Sequence, residues 1–186
     1  MPESGFRHLY QRVVTLLESL RVPYLIVGGL ATGVLGEPRL THDVDAIVDL
    51  KTGDLDRLLP KAREEGFDFD EQAVRANIKR QGTFRLQYQN AWLDIIVSST
   101  EFEQSAFKRK KRVQVLDVEA NFPSPEDFIL LKLIPGRQKD LLDVESVVAR
   151  HRDKLDRAYL EQWAQKISDE MEDLRLFNML RKLLNR

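Results

Sequence analysis

Two acidic residues separated by one position, Asp43 and Asp45, form the part of the sequence best suited to chemistry. Asp43 directly precedes the apolar run Val44–Val48, a pattern that predicts a β-strand. Because side chains alternate faces along a strand, both carboxylates would project to the same side and repel each other. A divalent cation would relieve that repulsion, and Mg²⁺ (or Mn²⁺) prefers such oxygen ligands. We therefore predict a divalent-metal site here.

A third acid, Asp94, interrupts the apolar run Leu93–Val97, where a strand would otherwise carry another hydrophobic residue. If this strand lies beside that of Asp43 and Asp45, the three acids could hold two metal ions. Such a pair activates an attacking oxygen and neutralises a leaving pyrophosphate. The acids therefore indicate phosphoryl transfer, with Asp94 placed to assist deprotonation of the acceptor.

Two glycines, Gly28 and Gly29, follow the predicted strand Tyr24–Val27 and precede a predicted short helix, Leu30–Leu35. Glycine lets the backbone approach phosphate oxygens closely, and a helix N-terminus offers free N–H groups. The segment therefore predicts a phosphate-binding loop.

Two further polar residues, Arg39 and Thr41, could add a phosphate contact and a hydroxyl donor, although both types are also common in loops. Each motif has a purely structural alternative, because an acid pair at a strand edge or two glycines more often form a turn. Together, the order of the glycines, the acid pair and Asp94 favours a functional site.

The elements that would position these residues divide into an α/β half and a helical half. In residues 1–123 we predict helices over 6–20, 30–35 and 55–65, and strands over 24–27, 44–48, 83–88, 93–97 and 113–118. After an N-cap signature at Ser124-Pro125, helices are predicted over 128–134, 139–150, 155–167 and 171–184. The prediction is an α+β fold, with a small mixed sheet flanked by helices and a C-terminal helical region (124–186) packed on or beside the core.

Composition excludes several other classes of site. The 186 residues contain no cysteine, so disulfides and thiolate metal sites are excluded. The net charge is −1, which by itself indicates no particular partner. No apolar run approaches the ~20 residues of a membrane helix and no signal-like segment is present, so we expect a cytoplasmic protein without membrane contact.

The stretch from Val27-Gly28-Gly29-Leu30-Ala31 to Asp43-Val44-Asp45 resembles the Gly-Gly or Gly-Ser and Asp-x-Asp motifs of the DNA polymerase β-like nucleotidyltransferase superfamily. It looks most like the branch of AbiEii-type toxin nucleotidyltransferases and small uncharacterised bacterial relatives. The resemblance implies a polymerase-β-like nucleotidyltransferase fold, with Asp43, Asp45 and Asp94 as catalytic, metal-binding acids. It also implies that Gly28 and Gly29 bind the triphosphate, without the serine of the Gly-Ser form.

A second region, from Leu131 to Asp143, is similar to the family's lysine on one helix followed by Lys-Asp-x-x-Asp on the next. The resemblance implies a nucleotide contact for Lys132. The possible supporting residues are Arg137, Lys139, Asp140 and Asp143, the last two being three positions apart on one helix face. Helix capping and dipole pairing remain an alternative role for all of them.

The activity expected from these residues is transfer of a nucleoside monophosphate from an NTP to a hydroxyl of an RNA, a protein or a small molecule. The five consecutive cations Lys108–Arg112 could contact an RNA or tRNA acceptor, although such runs usually form a solvated surface. Membership of a toxin–antitoxin pair, with an antitoxin or other protein partner, is implied by the resemblance alone. The alternative function is a non-catalytic nucleotide-binding or regulatory protein that retains the fold.

Overall fold

A computed structural model of the chain describes residues 2–185, and side chains from Gly5 onward. The elements, in chain order, are α1 (Pro2–Leu20), β1 (Tyr24–Val27), α2 (Gly28–Leu35), β2 (Val44–Val48), α3 (Asp54–Glu64), α4 (Glu71–Gln81), β3 (Thr83–Tyr88), β4 (Ala91–Val97), α5 (Glu101–Lys108), β5 (Lys111–Val115), β6 (Val118–Phe122), α6 (Pro125–Leu133), α7 (Gln138–His151), α8 (Arg157–Glu170) and α9 (Arg175–Leu184). A 3₁₀ turn, Arg152–Lys154, joins α7 to α8.

The main sheet is mixed and has four strands in the order β1-β2-β4-β3. Strands β2 and β4 are parallel neighbours, whereas β1 and β3 are antiparallel edge strands. The predicted α+β fold with a small mixed sheet is therefore confirmed. The parallel pairing matters for the site because it brings two segments of chain that carry acids side by side.

The two faces of this sheet have different roles. On β2, Val44, Ala46 and Val48 are fully buried in the core. Because strand side chains alternate, Asp45 lies on the opposite face. The alternation of side chains along β2 thus separates the core face from the face that carries Asp45.

The helical region packs directly on the α/β half. Residues of α6, α7, α8 and α9 belong to the same buried cluster as those of α1 and the main sheet. Helix α6 begins at the predicted N-cap, where the Ser124 side chain accepts a hydrogen bond from the backbone N–H of Asp127. The division into residues 1–123 and 124–186 stays a prediction.

Three local predictions differ from the structure. The predicted strand over 113–118 is instead the hairpin β5–β6, which turns at Leu116 and Asp117 with φ of 49° and 63°. Such a turn is usually signalled by Asn-Gly, and that signal is absent here. Helices α4 and α5 were not predicted, and the last helix begins at Arg175 rather than Met171. Within residues 2–185, none of the helices has the length and apolar character needed to cross a bilayer.

Candidate active site

The three predicted acids lie on one face of the main sheet. Asp45 on β2 is the register partner of Asp94 on the parallel strand β4, and Asp43 directly precedes β2. Neighbouring strands lie about 5 Å apart, so the two register partners are adjacent. The structure therefore brings Asp45 and Asp94 together as the sequence predicted.

Gly28 lies directly against Asp45. It has a left-handed φ of 64°, and a Cβ built on it would lie only 1.8 Å from Oδ2 of Asp45. Any side chain would have to displace the carboxylate, in a conformation that L-residues rarely adopt. The first glycine therefore makes room for the acid, at the point where the free N–H groups of α2 begin.

Gly29 and Thr41 form the next contact along this loop. A Cβ on Gly29 would lie 2.9 Å from Cβ of Thr41, and the Thr41 hydroxyl donates to the backbone carbonyl of Asp43 at 3.1 Å. Thr41 thus fixes the backbone that leads into the acids. Its predicted contact with nucleotide remains a prediction.

The Asp45 carboxylate has no direct partner among the described residues. Within residues 2–185 it forms no hydrogen bond or ion pair. Its pKa is raised above the ordinary value, first by burial and then by repulsion from Asp94 and Asp43, against the opposing attraction of Lys132 and Arg39. The site therefore favours an added positive charge at Asp45.

The other two acids already have partners. Oδ1 of Asp43 accepts a hydrogen bond from the backbone N–H of Trp92 at 2.9 Å. Both oxygens of Asp94 are held by Arg85, with Nε–Oδ1 at 2.9 Å and Nη2–Oδ2 at 3.0 Å. Accordingly, the described residues contain no group of three Asp, Glu or His side chains arranged to hold a metal ion.

The donor set nevertheless fits a hard divalent cation. It consists of carboxylate oxygens on one sheet face, and both oxygens of Asp45 lie outside any hydrogen bond or ion pair of the described residues. Asp43 keeps one oxygen outside its hydrogen bond to Trp92. Asp43 and Asp45 could bind a first cation with no change of partner, whereas Asp94 would first have to leave Arg85.

A cavity of about 490 Å³ opens beside Asp45, between the sheet and α6. Its volume is in the range of small-molecule sites. Its lining combines two acids, two cations and an apolar wall, and includes Gly28, Asp45, Ile47, Glu103, Phe128, Leu131, Lys132, Ile134 and Arg137. We refer to it as the α6 cavity.

Lys132 lines the α6 cavity but is largely buried and already paired. Its Nζ donates to Asp143 at 2.8 Å and to Asp140 at 3.2 Å. Lys132 can reach both carboxylates because they lie on one face of α7. Arg39 in turn donates to Asp143 at 3.1 Å, and Arg137 to Asp140 at 2.6 Å. We call these five residues the Lys132 network; three cations and two acids give it a net charge of +1.

The remaining predicted supporting residue, Lys139, is exposed and lies outside this network. In residues 2–185 the structure therefore joins Arg39, Lys132, Arg137, Asp140 and Asp143, and leaves Lys139 on the surface. The link between Arg39, which precedes β2, and α7 was not predicted from sequence.

The basic run Lys108–Arg112 is largely committed to structure. Arg109 pairs with Glu126 at 2.9 Å and Asp127 at 3.3 Å, and stacks over Tyr159. Arg112 pairs with Glu18 and Glu119. Among the described residues, Lys108, Lys110 and Lys111 of the run form no such pair and are exposed.

Comparison with known families settles the class of protein. Residues 6–182 match the model of a family described as "Nucleotidyltransferase of unknown function (DUF6036)". The chain belongs to this nucleotidyltransferase family. The predicted membership of the polymerase-β-like superfamily and the predicted enzyme class are thereby confirmed. A search of curated proteins found no match.

Two solved structures illustrate the shared fold. The lincosamide antibiotic adenylyltransferase LnuA, solved with lincomycin bound, aligns with a TM-score of 0.52 and 17% identity, over 75% of this chain and 94% of LnuA. JHP933 from Helicobacter pylori aligns with a TM-score of 0.50 and 14% identity, over 98% of this chain and 91% of that one. At such identities the likeness establishes the fold alone.

Proposed function

We propose that this nucleotidyltransferase moves a nucleoside monophosphate from an NTP to a hydroxyl acceptor and depends on a divalent metal. The observation that carries the proposal is the position of Asp45. It lies against Gly28 at the start of α2, beside Asp43 and Asp94, and its carboxylate forms no hydrogen bond or ion pair within the described residues. The backbone N–H groups proposed to bind phosphate thus lie next to the carboxylate oxygens proposed to bind metal.

The nucleotide would bind in the α6 cavity. Its triphosphate would meet the backbone N–H groups at Gly28 and Gly29, with positive charge supplied by the Lys132 network. Arg39 is suited to a direct phosphate contact, since its side chain is 42% exposed. Phe128 and Ile134 offer an apolar wall for a base.

Asp43, Asp45 and Asp94 would hold Mg²⁺ or Mn²⁺, which neutralises phosphate charge and activates the acceptor hydroxyl when bound. The residues themselves orient the reactants and, at Asp94, could accept the proton of the acceptor. In this proposal the α/β half (1–123) supplies the acids, and the helical region (124–186) supplies Lys132.

The acceptor in this proposal is a hydroxyl of an RNA, a protein or a small molecule. Three exposed lysines, Lys108, Lys110 and Lys111, support an RNA contact, but the pairing of Arg109 and Arg112 removes much of the basic run from the surface. A protein or a small molecule is the alternative acceptor, and the toxin–antitoxin role rests on the sequence resemblance alone.

Label transfer tests the proposal directly. The purified protein would be incubated with each α-³²P-labelled NTP, with Mg²⁺ or Mn²⁺, and with RNA, lysate protein or lysate metabolites as acceptor. Transfer by the wild type, lost in Asp45→Asn and retained in the surface control Asp56→Asn, is the expected result. Absence of transfer under every condition, or full activity of Asp45→Asn, would overturn it.

One observation favours the non-catalytic alternative. In the structure Arg85 neutralises Asp94, and this leaves only Asp43 and Asp45 with oxygens available to a cation. A protein that binds an NTP in calorimetry but transfers no label would support this second function.

A further inference from the structure

Arg85 contacts Asp94 on the acid-bearing face of the sheet, and the proposed transfer reaction assigns Arg85 no role. The two residues are register partners on the antiparallel strands β3 and β4. The guanidinium engages both carboxylate oxygens in a two-pronged, charge-assisted contact. A metal ion at Asp94 would therefore meet a positive charge already in place.

The Arg85 side chain has a second contact besides Asp94, but it is not buried. Its guanidinium lies 4.8 Å from the ring centre of Trp92, and its side chain is 54% exposed. Exposed ion pairs typically contribute about 1 kcal/mol or less, so the cost of breaking this one is small. The contact is suited to exchange with another cation.

The structure also provides room for the displaced side chain. Arg85 lines two cavities of about 470 and 310 Å³ between α4 and the sheet, and Asp94 lines only the smaller one. The larger cavity includes the carboxylate-bearing residues Asp68 and Asp70. Arg85 could therefore turn away from Asp94 toward other acids without leaving the protein surface.

From these contacts we propose that Arg85 is a positioning residue that holds the Asp94 carboxylate in place of a divalent cation and must release it before Asp94 can bind metal. The proposal rests on the proposed metal site. Asp43 and Asp45 bind a first cation without rearrangement. A second cation, shared with Asp94, binds more weakly because it competes with Arg85.

Titration with Mn²⁺, followed by the EPR signal of the free ion, tests this independently of catalysis. Arg85→Gln should bind the weaker class of Mn²⁺ about two- to fivefold more tightly than the wild type, which is the range that the loss of an exposed ion pair allows. Arg85→Lys, which keeps the charge but loses the two-pronged contact, should show a smaller gain. Arg75→Gln, which removes an exposed ion pair of α4 with Glu71, should match the wild type.

Unchanged or weaker Mn²⁺ binding by folded Arg85→Gln overturns the proposal. If circular dichroism shows that Arg85→Gln is unfolded, the test is made with Arg85→Lys instead. Wild-type affinity for Mn²⁺ in Arg85→Lys would then overturn the proposal. Asp45→Asn separates the two hypotheses. Loss of Mn²⁺ binding in Asp45→Asn with no effect of either Arg85 change would sustain the metal site and refute only the role of Arg85.

Discussion

Gly28 and Asp45 occupy adjoining space so closely that only a hydrogen atom at the glycine α-carbon leaves room for the carboxylate. The contact joins the end of β1 to the strand that carries the acids. Glycine at position 28 is therefore required for the position of the Asp45 carboxylate as well as for the proposed phosphate loop.

Replacement of Gly28 by alanine should therefore abolish activity, by a hundredfold or more, because either the carboxylate or the backbone must move. Gly53→Ala is the matched control, since Gly53 also has a left-handed φ (89°) but open space around its α-carbon. Both variants should lose about 1–2 kcal/mol of folding free energy through φ strain. Label transfer and urea unfolding measure the two effects, and an active Gly28→Ala would contradict the assigned geometry.

Loss of the Lys132 ammonium should destabilise the protein. Lys132→Met leaves the buried Asp140 and Asp143 with only the more exposed arginines as partners, at a cost of about 3 kcal/mol. Lys139→Met, on the exposed surface of the same helix junction, should change stability by less than about 0.5 kcal/mol. Urea unfolding compares them, and equal stabilities would show that the Lys132 network contributes nothing to the fold.

Removal of the Arg39 guanidinium should weaken NTP binding with little effect on stability. Asp143 would keep its bond to Lys132 in Arg39→Ala, so the melting temperature should fall by only a few degrees. The KM for NTP should rise about fivefold if Arg39 makes one charge-assisted phosphate contact. Arg157→Ala, an exposed arginine at the start of α8, serves as control. A changed kcat with unchanged KM would argue against the phosphate contact.

Glu126 should make stability depend on pH. Burial raises its pKa, but hydrogen bonds from the backbone of Asp156 and the attraction of Arg109 outweigh this, and the net pKa is lowered. A lowered folded-state pKa gives stability that is complete above the unfolded value, about 4.3, and is lost as the pH falls through the folded value.

Glu126→Gln should therefore be less stable at pH 7 by about 1–2 kcal/mol. Its unfolding free energy should also fall less steeply than that of the wild type as the pH is lowered from about 5 toward 3. Urea unfolding at a series of pH values measures both effects. Parallel curves for the two proteins would show that Glu126 does not carry this dependence.

Local patterns in the sequence were enough to predict β1, β2 and the acids on one face. The same patterns contain the register that places Arg85 opposite Asp94. A two-residue turn, Gln89-Asn90, pairs Tyr88 with Ala91, and counting back along the hairpin sets Arg85 against Asp94.

Other parts of the site depend on pairings that no local pattern specifies. The insertion of β4 between β2 and β3 is decided by burial of the whole sheet face, so adjacency of Asp45 and Asp94 remained conditional. The bond from Arg39 to Asp143 joins residues 104 positions apart. Helix α5 was not predicted, although the capping box formed by Thr100 and Glu103 marks its start.

The parallel pairing of β2 with β4 also determines when the site can form during synthesis of the chain. Asp45 leaves the ribosome well before Asp94, and all of α3, α4 and β3 lies between them. Until β4 is synthesised, one edge of β2 is unpaired and Asp45 has no Asp94 beside it. The loops that join α3, α4 and β3 can vary in length without moving Asp45 or Asp94, because both ends of this segment are fixed by the sheet. Arg85, by contrast, has to keep its place in the register of β3, since it lies opposite Asp94.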